Sequence, residues 1–187
     1  GTVWLDPAMT SPYAFHQFFL NAEDSKVVEY LKIFTRRSAA EIDDLARQTA
    51  EAPHLRAAQR ALADDITDLV HSPAERRAAA AAAAAIFGRE DLASLPEPTL
   101  RSVVAELGAP PLRVGNELPP VVEVLAAAGV VPSKSAGRRA IDEGGAYLNN
   151  AKVTDPDARL TDADLLHGRY VVVRRGRKTV GALAVER

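Results

Sequence analysis

Between Gly88 and Pro120 the chain carries Pro96, Pro98, Pro110, Pro111, Pro119 and Pro120, and nothing else in the sequence limits its folding so strongly. Each proline fixes φ and removes a backbone donor, so neither a long helix nor a central strand runs through this stretch. Residues 99 to 107 still suit a short helix that Gly108 would end. The segment therefore predicts a domain boundary: a helical domain over 1–92, a proline-rich linker over 93–120 that is exposed and poorly packed, and a second domain over 121–187.

Upstream of the prolines the apolar spacing is helical. Ser11-Pro12 pairs a cap residue with proline at the first helical position, and Tyr13, Phe15, Phe18, Phe19 and Leu20 follow. Aromatic residues at such spacing generally bury area, so these and Trp4 are expected in the core. A second helix begins at Asp24 or Ser25, with Val27, Val28, Leu31 and Phe34 on one side. Ser38-Ala39-Ala40-Glu41 and Ser72-Pro73-Ala74-Glu75 read as capping boxes that start two more. Between them Pro53 opens a helical stretch through Leu55, Leu62, Ile66, Leu69 and Val70, and the alanine run 78–85 is itself strongly helix-forming. Residues 11 to 87 thus predict five helices with short joints, an all-α bundle.

Downstream the period changes. Val121, Val122, Leu125 and Ala126 form a short apolar helix stopped by Gly129, and Ser133 caps another over Lys134 to Glu143 that Gly144-Gly145 ends. Ala146-Tyr147-Leu148 and Tyr170-Val171-Val172-Val173 are β-rich, and Arg174-Arg175-Gly176-Arg177-Lys178 joins the latter to Thr179-Val180-Gly181-Ala182-Leu183 as a hairpin. The expected fold class is an α-helical bundle domain followed by a small α+β domain.

Several chemistries are excluded. The chain has no cysteine, which removes disulfides, thiolate nucleophiles and Cys-ligated metals, and suits a cytoplasmic location. His16, His54, His71 and His167 lie at no metal-ligand spacing, and Asp43-Asp44 and Asp64-Asp65 occupy helix faces where neighbours diverge, so both pairs are expected to be solvated. No nucleophile elbow, P-loop or dinucleotide fingerprint is present, so no catalytic residue, metal site or cofactor is assigned within the chain. No apolar run reaches the roughly 20 residues of a membrane-spanning helix. The opening Gly1-Thr2-Val3-Trp4-Leu5-Asp6-Pro7 has neither an initiator methionine nor a signal peptide, and is expected to be an internal start.

Charge is divided unevenly. Residues 1–128 hold 12 Lys and Arg against 18 Asp and Glu, whereas residues 129–187 hold 11 against 7, a local charge of +4. Ser133-Lys134-Ser135-Ala136-Gly137-Arg138-Arg139 puts three cations in the first two turns of a helix beside its free amides, an arrangement that attracts phosphate. Lys134 and Arg138 share a face, and Arg139 lies around the edge, a spacing that suits a nucleic-acid backbone. The competing reading is a solvated helix whose cations pair with Asp142 and Glu143. The hairpin cations Arg174, Arg175, Arg177 and Lys178 form a second tier, for which solubilising charge on an exposed tip is the alternative.

A family resemblance rests on these motifs. Ser133-Lys134-Ser135, Arg138-Arg139, Gly145, Leu148-Asn149-Asn150 and Lys152-Val153 follow one another in the order of the small RNA-binding domain named after ribosomal protein S-four, which residues 121 to 185 resemble. That resemblance implies RNA contacts from Ser133, Lys134, Ser135, Arg138, Arg139, Asn149, Asn150 and Lys152, made chiefly to shape and phosphates. At the other end, Gly1-Thr2-Val3-Trp4-Leu5-Asp6-Pro7, Thr10-Ser11-Pro12-Tyr13, Phe15-His16-Gln17-Phe18-Phe19-Leu20-Asn21 and Tyr30-Leu31-Lys32 look like the stretch after the KMSKS-type loop of bacterial tyrosyl-tRNA synthetases. Arg174-Arg175-Gly176-Arg177-Lys178 is similar to the basic motif that closes those enzymes.

The resemblance implies the C-terminal portion of such a synthetase, with a catalytic-domain junction at 1–10, a helical anticodon-binding domain and an S-four-like domain. It implies tyrosine tRNA as partner, a class I catalytic domain absent from this chain, ATP used by the intact enzyme, and a homodimer of that enzyme. Between 35 and 118 it rests on helix order, and no functional residue is carried over there. The alternative is a stand-alone S-four-type module on ribosomal RNA whose helical half docks a protein.

Overall fold

Ser11 closes the first turn of α1 (Pro12–Leu20) by accepting from the Ala14 amide at 3.1 Å, with Pro12 where its missing donor costs nothing. This is a computed structural model that describes residues 3–88, 91–115, 117–177 and 179–187. The helices α2 (Asp24–Phe34), α3 (Ala39–Glu51), α4 (Ala57–Val70) and α5 (Pro73–Ile86) follow, so the five expected helices are present. Ser38 and Glu41 form the complete reciprocal box at the start of α3. Pro53 begins only a single 3₁₀ turn, Pro53–Leu55, because Arg56 adopts φ 52° and restarts the chain as α4. The expected long helix is thus broken there.

The chain forms two compact units, Gly1–Ala80 and Ala81–Arg187. In the first, Phe15, Phe19, Val27, Leu31, Leu62 and Ile66 meet in the core. Trp4 and Phe18 depart from the expected burial, being 49% and 46% exposed. Asp64 and Asp65 are not left to solvent either. Asp64 meets the buried His16 Nε2 at 2.8 Å, and Asp65 takes the Arg37 fork at 2.6 and 2.9 Å, so the pair ties α4 to α1 and to the residues before α3.

The second unit corrects the expected linker. Its remaining elements are α6 (Glu97–Glu106), β1 (Pro111–Arg113), α7 (Val121–Ala127), α8 (Lys134–Asp142), β2 (Ala146–Leu148), β3 (Ala151–Lys152), β4 (Tyr170–Arg175) and β5 (Thr179–Glu186). The strands form one sheet in the order β1-β5-β4-β2-β3, with β1 parallel to β5 and the other pairs antiparallel. The residues Val171, Val173, Leu183 and Val185 share one core with α7 and α8. Tyr170, Val172 and Ala182 point to the other face and are buried there, where α6 packs on β4 and β5. Leu100 and Val103 of α6 are fully buried.

Residues 97–113 therefore supply a layer and an edge strand, and the second unit begins well before Val121. The prolines permit this by standing at element boundaries. Pro96 is the N-cap of α6, with Pro98 in its first turn; Pro120 is the N-cap of α7; and Pro111 lies in an edge strand, where proline is tolerated.

At Gly181 the strand backbone comes close to the end of α7. A Cβ there would lie 2.5 Å from the Ala128 carbonyl oxygen and 2.9 Å from Val130 Cγ1. Gly181→Ala is expected to cost about 3 kcal/mol through overpacking against the end of α7. Thermal unfolding checks this, and an unchanged transition would contradict the packing described.

Candidate nucleic-acid interface

The sequence places alanine and glycine on one side of α8 and charge on the other. Ala136, Gly137, Ala140 and Ile141 are buried. A Cβ on Gly137 would stand 3.3 Å from the Val122 carbonyl oxygen, so α8 seats closely on α7. Ser133 accepts from the Ala136 amide at 3.2 Å and serves as the cap, while Lys134, Ser135, Arg138 and Arg139 are exposed.

The cations at the head of α8 are already engaged. Lys134 Nζ donates to Glu123 Oε2 at 2.5 Å, and the Arg138 guanidinium to Asp157 Oδ1 at 2.6 Å. These partners come from α7 and from the turn after β3, not from Asp142 or Glu143. Sequence reasoning missed both, because a pair across separate elements leaves no local periodic signal.

Around the other end of α8 lie cations with no ion pair among the described residues. Arg139 lies in its last turn, where Gly144 at φ 70° and the Gly145 amide, donating to the Ala140 carbonyl at 2.8 Å, close the helix. Lys152 Nζ would be 2.7 Å from a Cβ on Gly144, so this ammonium sits over the negative end of the helix dipole. The hairpin reaches the same place, since the Gly176 amide donates to the Gly145 carbonyl at 2.8 Å and Arg175 is in register with Ala146. Arg139, Lys152, Arg175 and Arg177 are all exposed and have no ion pair among the described residues. Asp142 and Glu143 are exposed beside them.

Three expected contact residues are occupied by the fold itself. Asn149 and Asn150, at φ 45° and 68°, make the two-residue turn between β2 and β3. The Asn149 amide donates to the Asp164 carbonyl at 2.6 Å and accepts from the Val172 amide at 3.0 Å, while Asn150 donates to the Ala85 carbonyl at 2.6 Å. Arg174 stacks on Tyr147 at 4.2 Å and donates to the Gly176 carbonyl at 2.7 Å. Its Nε is buried without a hydrogen-bond partner. The Asn149 amide thus fastens the turn to its neighbours. Lys178 lies outside the described residues.

The first unit has a cleft of 380 Å³ lined by Phe34, Arg36, Arg37, Asp65 and Leu69 among others. Phe34 and Leu69 are exposed at it, and Arg36 has no partner among the described residues. No group of three or more metal-ligating side chains occurs among the described residues, and no helix is long and apolar enough to cross a membrane.

Comparison with known proteins divides the chain similarly. Residues 1–88 match the model of the class I tRNA synthetases for tryptophan and tyrosine, and residues 104–181 match the tyrosine–tRNA ligase SYY-like C-terminal domain. The tyrosine–tRNA ligase of Cutibacterium acnes is 66% identical over 183 residues, covering 98% of this chain and 44% of that protein. That of Thermobifida fusca is 53% identical, with 98% and 43% covered. The chain thus spans under half the length of the curated relatives it matches. A solution structure of a tyrosyl-tRNA synthetase C-terminal domain aligns at 31% identity with a TM-score of 0.40, over 52% of this chain and 96% of that one. The match to residues 1–88 counts against an S-four-type ribosomal module with an unrelated docking half.

Proposed function

The chain belongs to the tyrosyl-tRNA synthetase family, whose C-terminal region it matches, and from this premise we propose that it holds and positions tyrosine tRNA for that ligase. The whole enzyme joins tyrosine to its tRNA with ATP in a catalytic part outside this chain, acts as a homodimer and works in the cytoplasm. This chain alone forms no adenylate.

The single observation that carries the RNA reading is the cluster of cations around the C-terminal end of α8, Arg139, Lys152, Arg175 and Arg177, which have no ion pair among the described residues. Unpaired cations gain most from phosphate, since they surrender no internal partner when RNA arrives. Lys134 and Arg138, with Ser133 and Ser135 at the helix opening, extend the same helix toward a further stretch of backbone. Such contacts give affinity and orientation without base identity. Identity then falls to the helical unit, where the exposed Phe34 ring and Arg36, which has no partner among the described residues, offer a stacking surface and a cation at the cleft to an unstacked anticodon nucleotide.

Competition binding tests the reading. Tyrosine tRNA is expected to displace a labelled tyrosine transcript better than another tRNA does, and both better than a ribosomal RNA fragment. Preference for the ribosomal fragment would restore the S-four-module alternative.

A further inference from the structure

Lys134 and Arg138 are each held by a carboxylate that α8 does not supply. Glu123 belongs to α7, and Asp157 to a turn fixed by its own amide, which donates to Asp155 Oδ1 at 2.8 Å. α7 is packed on α8 through Gly137, so in each case the backbone that carries the carboxylate is placed by contacts other than the ion pair. We propose that Glu123 and Asp157 are built-in competitors of RNA phosphate, which occupy the two cation positions in the free protein and are displaced when tRNA binds. This rests on the reading of α8 as an RNA-contacting helix.

The energetics suit an exchange rather than a permanent bond. Both pairs are exposed, with side-chain accessibilities of 65% and 40% for Lys134 and Glu123 and 52% and 73% for Arg138 and Asp157. Ion pairs so exposed are weak, and an incoming phosphate takes over the guanidinium or ammonium at little cost. The ion pair is lost when the phosphate binds, so its weak attraction is subtracted from the binding. Each pair therefore lowers affinity by a modest factor, which favours release of the RNA after its use. Arg139 has no such partner among the described residues and binds without this penalty.

The test is a double-mutant cycle on the whole chain with a tyrosine tRNA transcript as probe. Glu123→Gln and Asp157→Asn keep side-chain shape and remove charge. Each is expected to tighten binding about two- to fivefold, and the two together about tenfold. The gain from Glu123→Gln should vanish in a Lys134→Ala background, and that from Asp157→Asn in an Arg138→Ala background, whereas a general loss of negative charge would persist there. Gains that persist, or carboxylate variants that bind no tighter while the alanine variants bind more weakly, overturn the competition and leave the RNA reading of α8 standing. Alanine variants that bind as the parent does overturn both.

Discussion

Leu100→Ala is expected to destabilise the second unit by about 2–5 kcal/mol, the cost of a large-to-small change at a fully buried site. Leu100 lies on α6, which covers the face of the sheet opposite α7 and α8, so its loss opens a cavity over β4 and β5. For a unit of this size the melting temperature should fall by about 10 °C or more. Arg101→Ala, on the exposed side of the same helix, should leave it nearly unchanged. Were residues 93–120 a bare linker, both variants would melt like the parent, and that result would contradict the layer assigned to α6.

Replacing Arg139, Lys152, Arg175 and Arg177 together by alanine is expected to weaken tRNA binding by about two to three orders of magnitude at ~0.15 M salt. All four are exposed and none makes an ion pair among the described residues, so the fold should survive and the melting temperature serves as the control. The loss should be nearly equal for tyrosine tRNA and for another tRNA, since phosphate contacts carry no base identity. A loss confined to tyrosine tRNA would mean that these cations read bases. The contrasting variant is Asn149→Ala, whose removed amide holds the β2–β3 turn, and which should lower thermal stability before it changes the salt dependence of binding.

The parts of the structure legible in the sequence are those written within a few residues. Ser38 and Glu41 satisfy each other across one turn, Ser133 caps α8, and Asn149-Asn150 supplies the positive φ values of a two-residue hairpin turn, so each local pattern fixes its element. The prolines were harder to read, because the same residue that breaks a helix interior begins a helix when it falls at the cap. Only the position of α6 against the sheet distinguishes a linker from a layer. The charged site divides along the same line. Which residues are cationic is plain from the sequence, but Glu123 and Asp157 reach Lys134 and Arg138 from 11 and 19 residues away, and the Gly145–Gly176 contact joins segments 31 residues apart. Those pairings decide which cations are free, and no window of the sequence contains them.

The central claim is that RNA is held by the cations around the end of α8, and the salt dependence of tRNA binding tests it most directly. Each neutralised phosphate contributes about 0.7–0.9 to the slope of log affinity against log salt. The parent chain and the four-alanine variant should differ in slope by about 3, with the variant shallower. Parallel lines for the two proteins, at any affinity, would contradict the account.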